Sequence, residues 1–207
     1  MTGTKKRISA SFQKWLFLIV AIAFVITLVF LWGYQTGLFT DSAENLLDTY
    51  IKDVKQDIAD TSDKNLLVVG ILKGSVPFLA DLIKNIDLKC QIDFMSVSSY
   101  AGTKTTGSVS FKKDLDINPE GRDILIVEDI LDSGLTLSYL KNVLIARNPA
   151  SVKICTFLDK PENRKVDITA EYIGKSIPNE FVIGYGLDYN EDYRNLSYVG
   201  VLSPKIY

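Results

Sequence analysis

The sequence predicts an α/β fold: a mainly parallel twisted sheet flanked by helices, preceded by one N-terminal transmembrane helix. Three observations predict it. From Leu66 onward, short apolar runs bounded by turn residues alternate with helical patterns, as when parallel strands are joined by crossover helices. One apolar run, Ile124 to Val127, ends in Glu128 and Asp129, then Asp132, Ser133, Gly134 and Thr136, before another helical pattern. Residues 15–40 carry no charged side chain at all.

The elements follow in order. Trp15 to Tyr34 is almost wholly apolar, and about 20 such residues span a bilayer as a helix. Trp15, Trp32 and Tyr34 lie near its ends, where interfacial aromatics belong. The run is longer than the core of a signal peptide, and no clear small-residue cleavage site follows. Residues 1–40 are therefore read as a basic segment with a transmembrane helix, and residues 41–207 as the folded domain. Asp41 to Asp60 reads as an amphipathic helix with Leu46, Leu47, Tyr50, Ile51, Val54 and Ile58 on one face. Leu66 to Leu72 is a buried strand, and Val76 to Ile86 a helix with Pro77 in its first turn. Gln91 to Ser98 and Ser108 to Lys112 are strands. Ser99 to Gly107 between them is polar and lacks periodicity, so a mobile loop is expected. After the strand Ile124 to Val127, Leu137, Leu140, Val143 and Leu144 form a helical face that stops near Asn148-Pro149. Val152 to Leu158, Glu171 to Gly174 and Phe181 to Gly184 are further strands.

Composition excludes several chemistries. There is no histidine, so Ser-His-Asp and Cys-His mechanisms and cysteine–histidine metal sites are out, and a general base must be a carboxylate, Lys or Tyr. Net charge is −2, which argues against a nucleic-acid partner. Cys90 and Cys155 both sit in apolar runs and read as buried thiols.

The segment from Glu128 to Thr136 suits a sugar phosphate. In open α/β sheets, ligands bind where a strand's carboxyl end turns into a helix. The helix N-terminus offers free N–H groups and a positive dipole end to a phosphate. Ser133 and Thr136 add hydroxyl donors, and Gly134 allows close backbone approach. Glu128 and Asp129 suit ribose hydroxyls or a hydrated magnesium ion.

This segment resembles the phosphoribosyl pyrophosphate (PRPP) signature of type I phosphoribosyltransferases. Leu72-Lys73-Gly74, Ser99-Tyr100, Asp159-Lys160-Pro161, and Phe181 through Asp188 to Arg194 stand in matching order and spacing. Together, over about Leu46 to Tyr207, they resemble the bacterial hypoxanthine-guanine phosphoribosyltransferases. The resemblance implies the type I fold with a small hood. It also implies phosphoribosyl transfer from PRPP to hypoxanthine or guanine, dependent on magnesium, by a homo-oligomer, either dimer or tetramer.

The resemblance also assigns roles. Glu128 and Asp129 contact the ribose hydroxyls, directly or through magnesium. The Asp132 to Thr136 amides, which include those of Gly134 and Leu135, hold the 5′-phosphate with the Ser133 and Thr136 side chains. Lys73, Gly74 and Arg194 face pyrophosphate, and the Leu72–Lys73 peptide is of a kind that can be cis. Asp188 looks like the ligand of a pyrophosphate-bound magnesium, and contacts near it bear on base preference. Asp132 is the candidate general base for the purine imidazole-ring proton. Lys160 donates to the 6-oxo group, Phe181 stacks on the purine, and the Val182 backbone reads the base edge. Ser99 and Tyr100, grouped with the pyrophosphate contacts, head a loop that closes over the site.

The sequence raises three further questions. The Lys and Arg bias before the apolar run favours a cytoplasmic N-terminus, which would place the catalytic domain outside the cell. The resemblance implies a cytoplasmic active site on a membrane-anchored chain, and that is the expectation adopted. An atypical start, giving a soluble protein, is the other origin for this segment. A non-catalytic, membrane-tethered PRPP-binding regulator on the same fold is the alternative to an enzyme.

Overall fold

Leu66 to Ile71 are all buried, and they form β1 at the centre of a six-stranded sheet. The computed structural model describes residues 65–98 and 110–206. The expected helix Asp41 to Asp60, the apolar segment Trp15 to Tyr34, and Ser99 and Tyr100 with their loop lie outside these residues. Among the described residues, no helix is long and apolar enough to cross a membrane.

After β1 come α1 (Val76–Ile83), β2 (Cys90–Ser98), β3 (Ser110–Lys113), β4 (Asp123–Leu131), α2 (Leu135–Ile145) and β5 (Ser151–Asp159). A 3-10 turn (Pro161–Asn163), β6 (Tyr172–Ser176), β7 (Val182–Ile183) and β8 (Gly200–Val201) complete the described chain. The strand order is β3-β2-β1-β4-β5-β6. All neighbours are parallel except β2 and β3. A second, two-stranded sheet pairs β7 with β8.

Two cores cover the sheet. Successive strand residues point to opposite faces. Leu66 and Val68 of β1 pack with Phe78, Leu79 and Leu82 of α1. Leu67, Val69 and Ile71 pack on the other side with Leu137, Leu140 and Leu144 of α2. Burial on both faces is why β1 and the first part of β4 read as unbroken apolar runs rather than alternating ones. Burying each of these leucines contributes about 1.5–3 kcal/mol.

The crossover through α1 leads from β1 outward to β2, and that through α2 leads from β4 outward to β5. The sheet order therefore reverses between adjacent β1 and β4. Ligands of open α/β sheets bind at the carboxyl ends of strands beside such a reversal.

Several boundaries differ from the sequence reading by a residue or two, and three departures matter most. Helix α1 ends at Ile83, not Ile86. Beyond it the Asn85 and Ile86 N–H groups reach back only three residues, to Leu82 and Ile83, and the Asn85 side chain donates to Asp81 O. Strand β4 does not stop at Val127; it runs through both acids to Leu131. Ladder pairing with β5, Glu128 with Thr156 and Ile130 with Leu158, keeps it extended despite the polar side chains. Strand β8 was not anticipated, because two residues, Gly200 and Val201, carry no periodicity.

Candidate active site

Two strand ends meet at the reversal. Past β1, the peptide joining Leu72 and Lys73 is cis. Ser75 is fully buried and its hydroxyl donates to Ile71 O at 2.7 Å, which ties down the turn between them. Gly74 lies against the carboxylate of Asp129, so closely that a Cβ there would overlap it. Gly186, at φ +99, presses in turn on the Gly74 carbonyl. Only glycine meets both demands, a close approach at 74 and a left-handed backbone at 186.

Past β4, Gly134 caps α2 at φ +80. Ser138 N–H donates to Gly134 O at 2.9 Å, the first bond of the helix. The preceding first-turn N–H groups, those of Leu135, Thr136 and Leu137, have no partner within the helix. Ser133 and Thr136 flank this terminus, and both are partly exposed. The geometry can receive a phosphate.

The acids between are held in an unfavourable state. Burial pushes the Glu128 carboxyl well above the usual range, and the neighbouring Asp129 charge pushes it further. Glu128 Oε2 is buried without a hydrogen-bond partner. Burial likewise raises Asp129 to about 6; the Ile130 N–H and its own backbone N–H oppose the rise, as does Arg194, while Asp188 adds to it.

Asp188 and Arg194 face each other across a tight loop. Arg194 Nη2 lies 2.7 Å from Asp188 Oδ1, and Arg194 Nη1 donates to Gly186 O at 2.7 Å. Asn190, Glu191 and Tyr193 between them all have positive φ, so the loop doubles back within a few residues. Arg194 Nε is buried and unpaired. Lys73 Nζ pairs with Glu191 Oε2 at 2.8 Å, and Arg194 Nη2 lies 3.5 Å from the same oxygen. Lys73 and Arg194 are thus joined through one carboxylate.

On the far side of α2's N-terminus, Lys160 follows β5 and is only 6% exposed. Its N–H donates to Leu131 O at 3.0 Å. No described residue pairs with its ammonium; the stem is buried while the charged tip stays accessible. The 3-10 turn after it brings Asn163 Nδ2 to 2.6 Å from Asp132 Oδ1. Arg164 donates to the Leu131 carbonyl at 2.9 Å and to the Asp132 carbonyl, and pairs with Asp159. Phe181 precedes β7 and meets Tyr189 edge-on, with ring centroids 5.8 Å apart. Val182 is buried in β7 and pairs with Val201.

A family profile described as "Phosphoribosyl transferase domain" matches residues 42–190. The chain is 57% identical over 150 residues to a hypoxanthine-guanine phosphoribosyltransferase of Streptococcus agalactiae serotype V, covering 72% of this chain and 83% of that one. It is 56% identical over 149 residues to the protein of the same name from Streptococcus pyogenes serotype M3, with the same coverage. Among solved structures, a hypoxanthine phosphoribosyltransferase from Staphylococcus aureus is similar at a TM-score of 0.75 and 47% identity, over 84% of this chain and 97% of that one. The chain belongs to the phosphoribosyltransferase family.

Within this phosphoribosyltransferase fold, Lys73, Gly74, Asp129, Asp188 and Arg194 come together, and Asp132 to Thr136 form the adjoining helix start. Lys160 adjoins the same loop through Leu131. Ser99 and Tyr100 fall outside the described residues. Glu191, Asn163 and Arg164 escaped the sequence reading. Glu191 sits beside recognised motif residues and carries charge, a signal that could have found it; Asn163 has none, because only the turn's geometry turns it toward Asp132.

The acids fit a divalent cation in one respect. Glu128 has an orphaned buried oxygen and Asp129 a partly buried carboxylate, both of which positive charge would stabilise. Among the described residues, no three acids converge on one point. Glu128, Asp129 and Asp188 therefore do not form one all-protein cage. Magnesium is commonly held by one or two carboxylates together with substrate oxygens and water.

Proposed function

We propose that this chain transfers the 5-phosphoribosyl group from PRPP to hypoxanthine or guanine, giving IMP or GMP and pyrophosphate, as an enzyme of purine salvage. The observation that carries the reading is the meeting of two strand ends: a phosphate-receptive helix start at Ser133 to Thr136 beside Gly74, Asp129, Asp188 and Arg194. The relatives named hypoxanthine-guanine phosphoribosyltransferase support the same activity.

The residues divide the work. The N–H groups at the start of α2, with Ser133 and Thr136, hold the 5′-phosphate. Glu128 and Asp129 take the ribose hydroxyls. Lys73 and Arg194 neutralise the pyrophosphate as it leaves, Arg194 with a planar fork suited to phosphate. Magnesium, bound with Asp188 or the paired acids, would offset charge on the leaving pyrophosphate. Lys160 donates to the 6-oxo group. Adenine presents an amino group there and would leave the ammonium unpaired, which disfavours it. Phe181 stacks on the base. Asp132 accepts the proton from the imidazole ring of the purine. Ser99 and Tyr100 head a closing loop that keeps water from the oxocarbenium-like centre.

The test is a panel of purines with PRPP and magnesium. Turnover with hypoxanthine or guanine and none with adenine is expected. A folded protein that binds PRPP and turns over none of them is the PRPP-binding regulator instead. No described feature favours that second reading.

The remaining assignments rest on sequence. Residues 1–40 form a basic segment with a membrane helix and residues 41–207 the catalytic domain, with the active site in the cytoplasm. The uncharged run Trp15 to Tyr34 supports the anchor. Recovery of the full chain from membranes only with detergent is the expected result; recovery in the soluble fraction contradicts it. A homo-oligomer is expected on sizing.

A further inference from the structure

Asp132 is held on one side by a residue with no assigned role. Asn163 Nδ2 donates to Asp132 Oδ1 at 2.6 Å, while no described residue donates to Oδ2. Asn163 closes the 3-10 turn that begins after Lys160, and its N–H donates to Lys160 O at 3.2 Å. A second layer supports the turn. Arg164 grips the Leu131 and Asp132 carbonyls and Asp159, and Lys165 N–H donates to Ser133 O at 2.9 Å. A Cβ at Gly134 would meet Ile168, Arg164 and Val166. The segment after the base-reading lysine thus lies directly on the phosphate loop.

We propose that Asn163 is a positioning residue for Asp132. It fixes one carboxylate oxygen so that the other faces the purine, and it links that orientation to the turn carrying Lys160. The inference rests on the general-base reading of Asp132. An amide that donates to one carboxylate oxygen leaves the lone pairs of the other free to accept a proton. Purine recognition at Lys160 and proton acceptance at Asp132 are in this way set by one rigid turn. The charged groups of the adjoining segments include Asp159 at the end of β5, Lys160, Glu162, Arg164, Lys165 and Asp167 on the segment after it, Glu128 and Asp129 on β4, and Lys141 on α2. None of these side chains hydrogen-bonds the Asp132 carboxylate, which leaves Asn163 as its only described donor.

The test uses the full chain with Asn163→Ala and Asn163→Asp, measuring kcat and KM for hypoxanthine, PRPP affinity by calorimetry, and Tm. In Asn163→Ala, kcat falls about tenfold, the size of one hydrogen bond to a charged group, while KM for hypoxanthine changes little. Asn163→Asp keeps the shape but cannot donate, so it loses at least as much. PRPP affinity changes by less than about twofold, since positioning acts on the base rather than on the phosphate contacts. A purely structural role would lower Tm and leave kcat of the folded protein in place, and that result overturns the inference. Full activity in Asp132→Asn removes the general-base reading itself, a failure visible separately from that of Asn163.

Discussion

Gly74 and the carboxylate of Asp129 are in direct contact across the adjacent ends of β1 and β4, with no room for a Cβ between them. This contact joins the strand end proposed to face pyrophosphate to the one proposed to face ribose. Gly74→Ala forces the Asp129 side chain or the turn to move. Overpacking of this kind costs about 1–3 kcal/mol, and displacing a site carboxylate costs activity as well. Urea unfolding and kcat/KM, measured together, should both fall. An active and equally stable variant would show that the two strand ends are not in contact.

Asp129 itself trades stability for function. Its carboxyl is raised by burial from 3.8 to about 6. A raised carboxyl binds its proton more tightly in the folded than in the unfolded chain. It adds stability below the unfolded value, and that stability is lost as pH rises through about 6. Glu128 is raised too and acts in the same direction. Asp129→Asn removes the titration. Without magnesium or substrate, the Tm difference between variant and wild type should be small near pH 4 and grow in favour of the variant up to about pH 7. The full shift corresponds to a stability gain on the order of 3 kcal/mol. The variant should lose transfer activity. A pH-independent Tm difference contradicts the assignment.

Lys160 buries its stem and leaves an accessible ammonium with no described partner. Lys160→Met keeps the apolar stem and removes the charge. The folded protein should stay within about 0.5 kcal/mol of wild type, because the buried stem keeps its packing and the lost ammonium made no described pairing. Its kcat/KM for hypoxanthine should fall about ten- to hundredfold, the range for a hydrogen bond to a charged group. PRPP affinity should hold. Loss of PRPP binding would move Lys160 out of the base site.

Glu191 draws on both cations assigned to pyrophosphate. Both members of its pair with Lys73 are largely exposed, and such pairs are weak. Glu191→Gln removes a competing anion, so KM for PRPP should fall by no more than about fivefold, and less at high salt. Asp192→Asn in the same loop serves as a charge-matched comparison. Equal effects of the two changes would mean that only net charge matters.

The sequence exposed the site better than its frame. Lys73, Gly74, Glu128 to Thr136, Asp188 and Arg194 stand in short motifs whose chemistry is local, so their grouping was readable before any fold. The end of β4 was misread because polar residues usually close a strand, and only pairing with β5 keeps Glu128 and Asp129 extended. Strand β8 is two residues long and exists only through its pairing with β7. The contact of Asn163 with Asp132 spans 31 positions and depends on a 3-10 turn no periodicity announces. The contact between Gly74 and Asp129 was hidden for the same reason: it belongs to the strand order.

The most direct test is Asp132→Asn in the full chain, assayed for transfer from PRPP to hypoxanthine with magnesium, alongside PRPP binding and Tm. The account predicts a folded variant that binds PRPP and has lost most of its turnover. Wild-type turnover in that variant would contradict the role given to Asp132, and no turnover in either protein would contradict the enzyme.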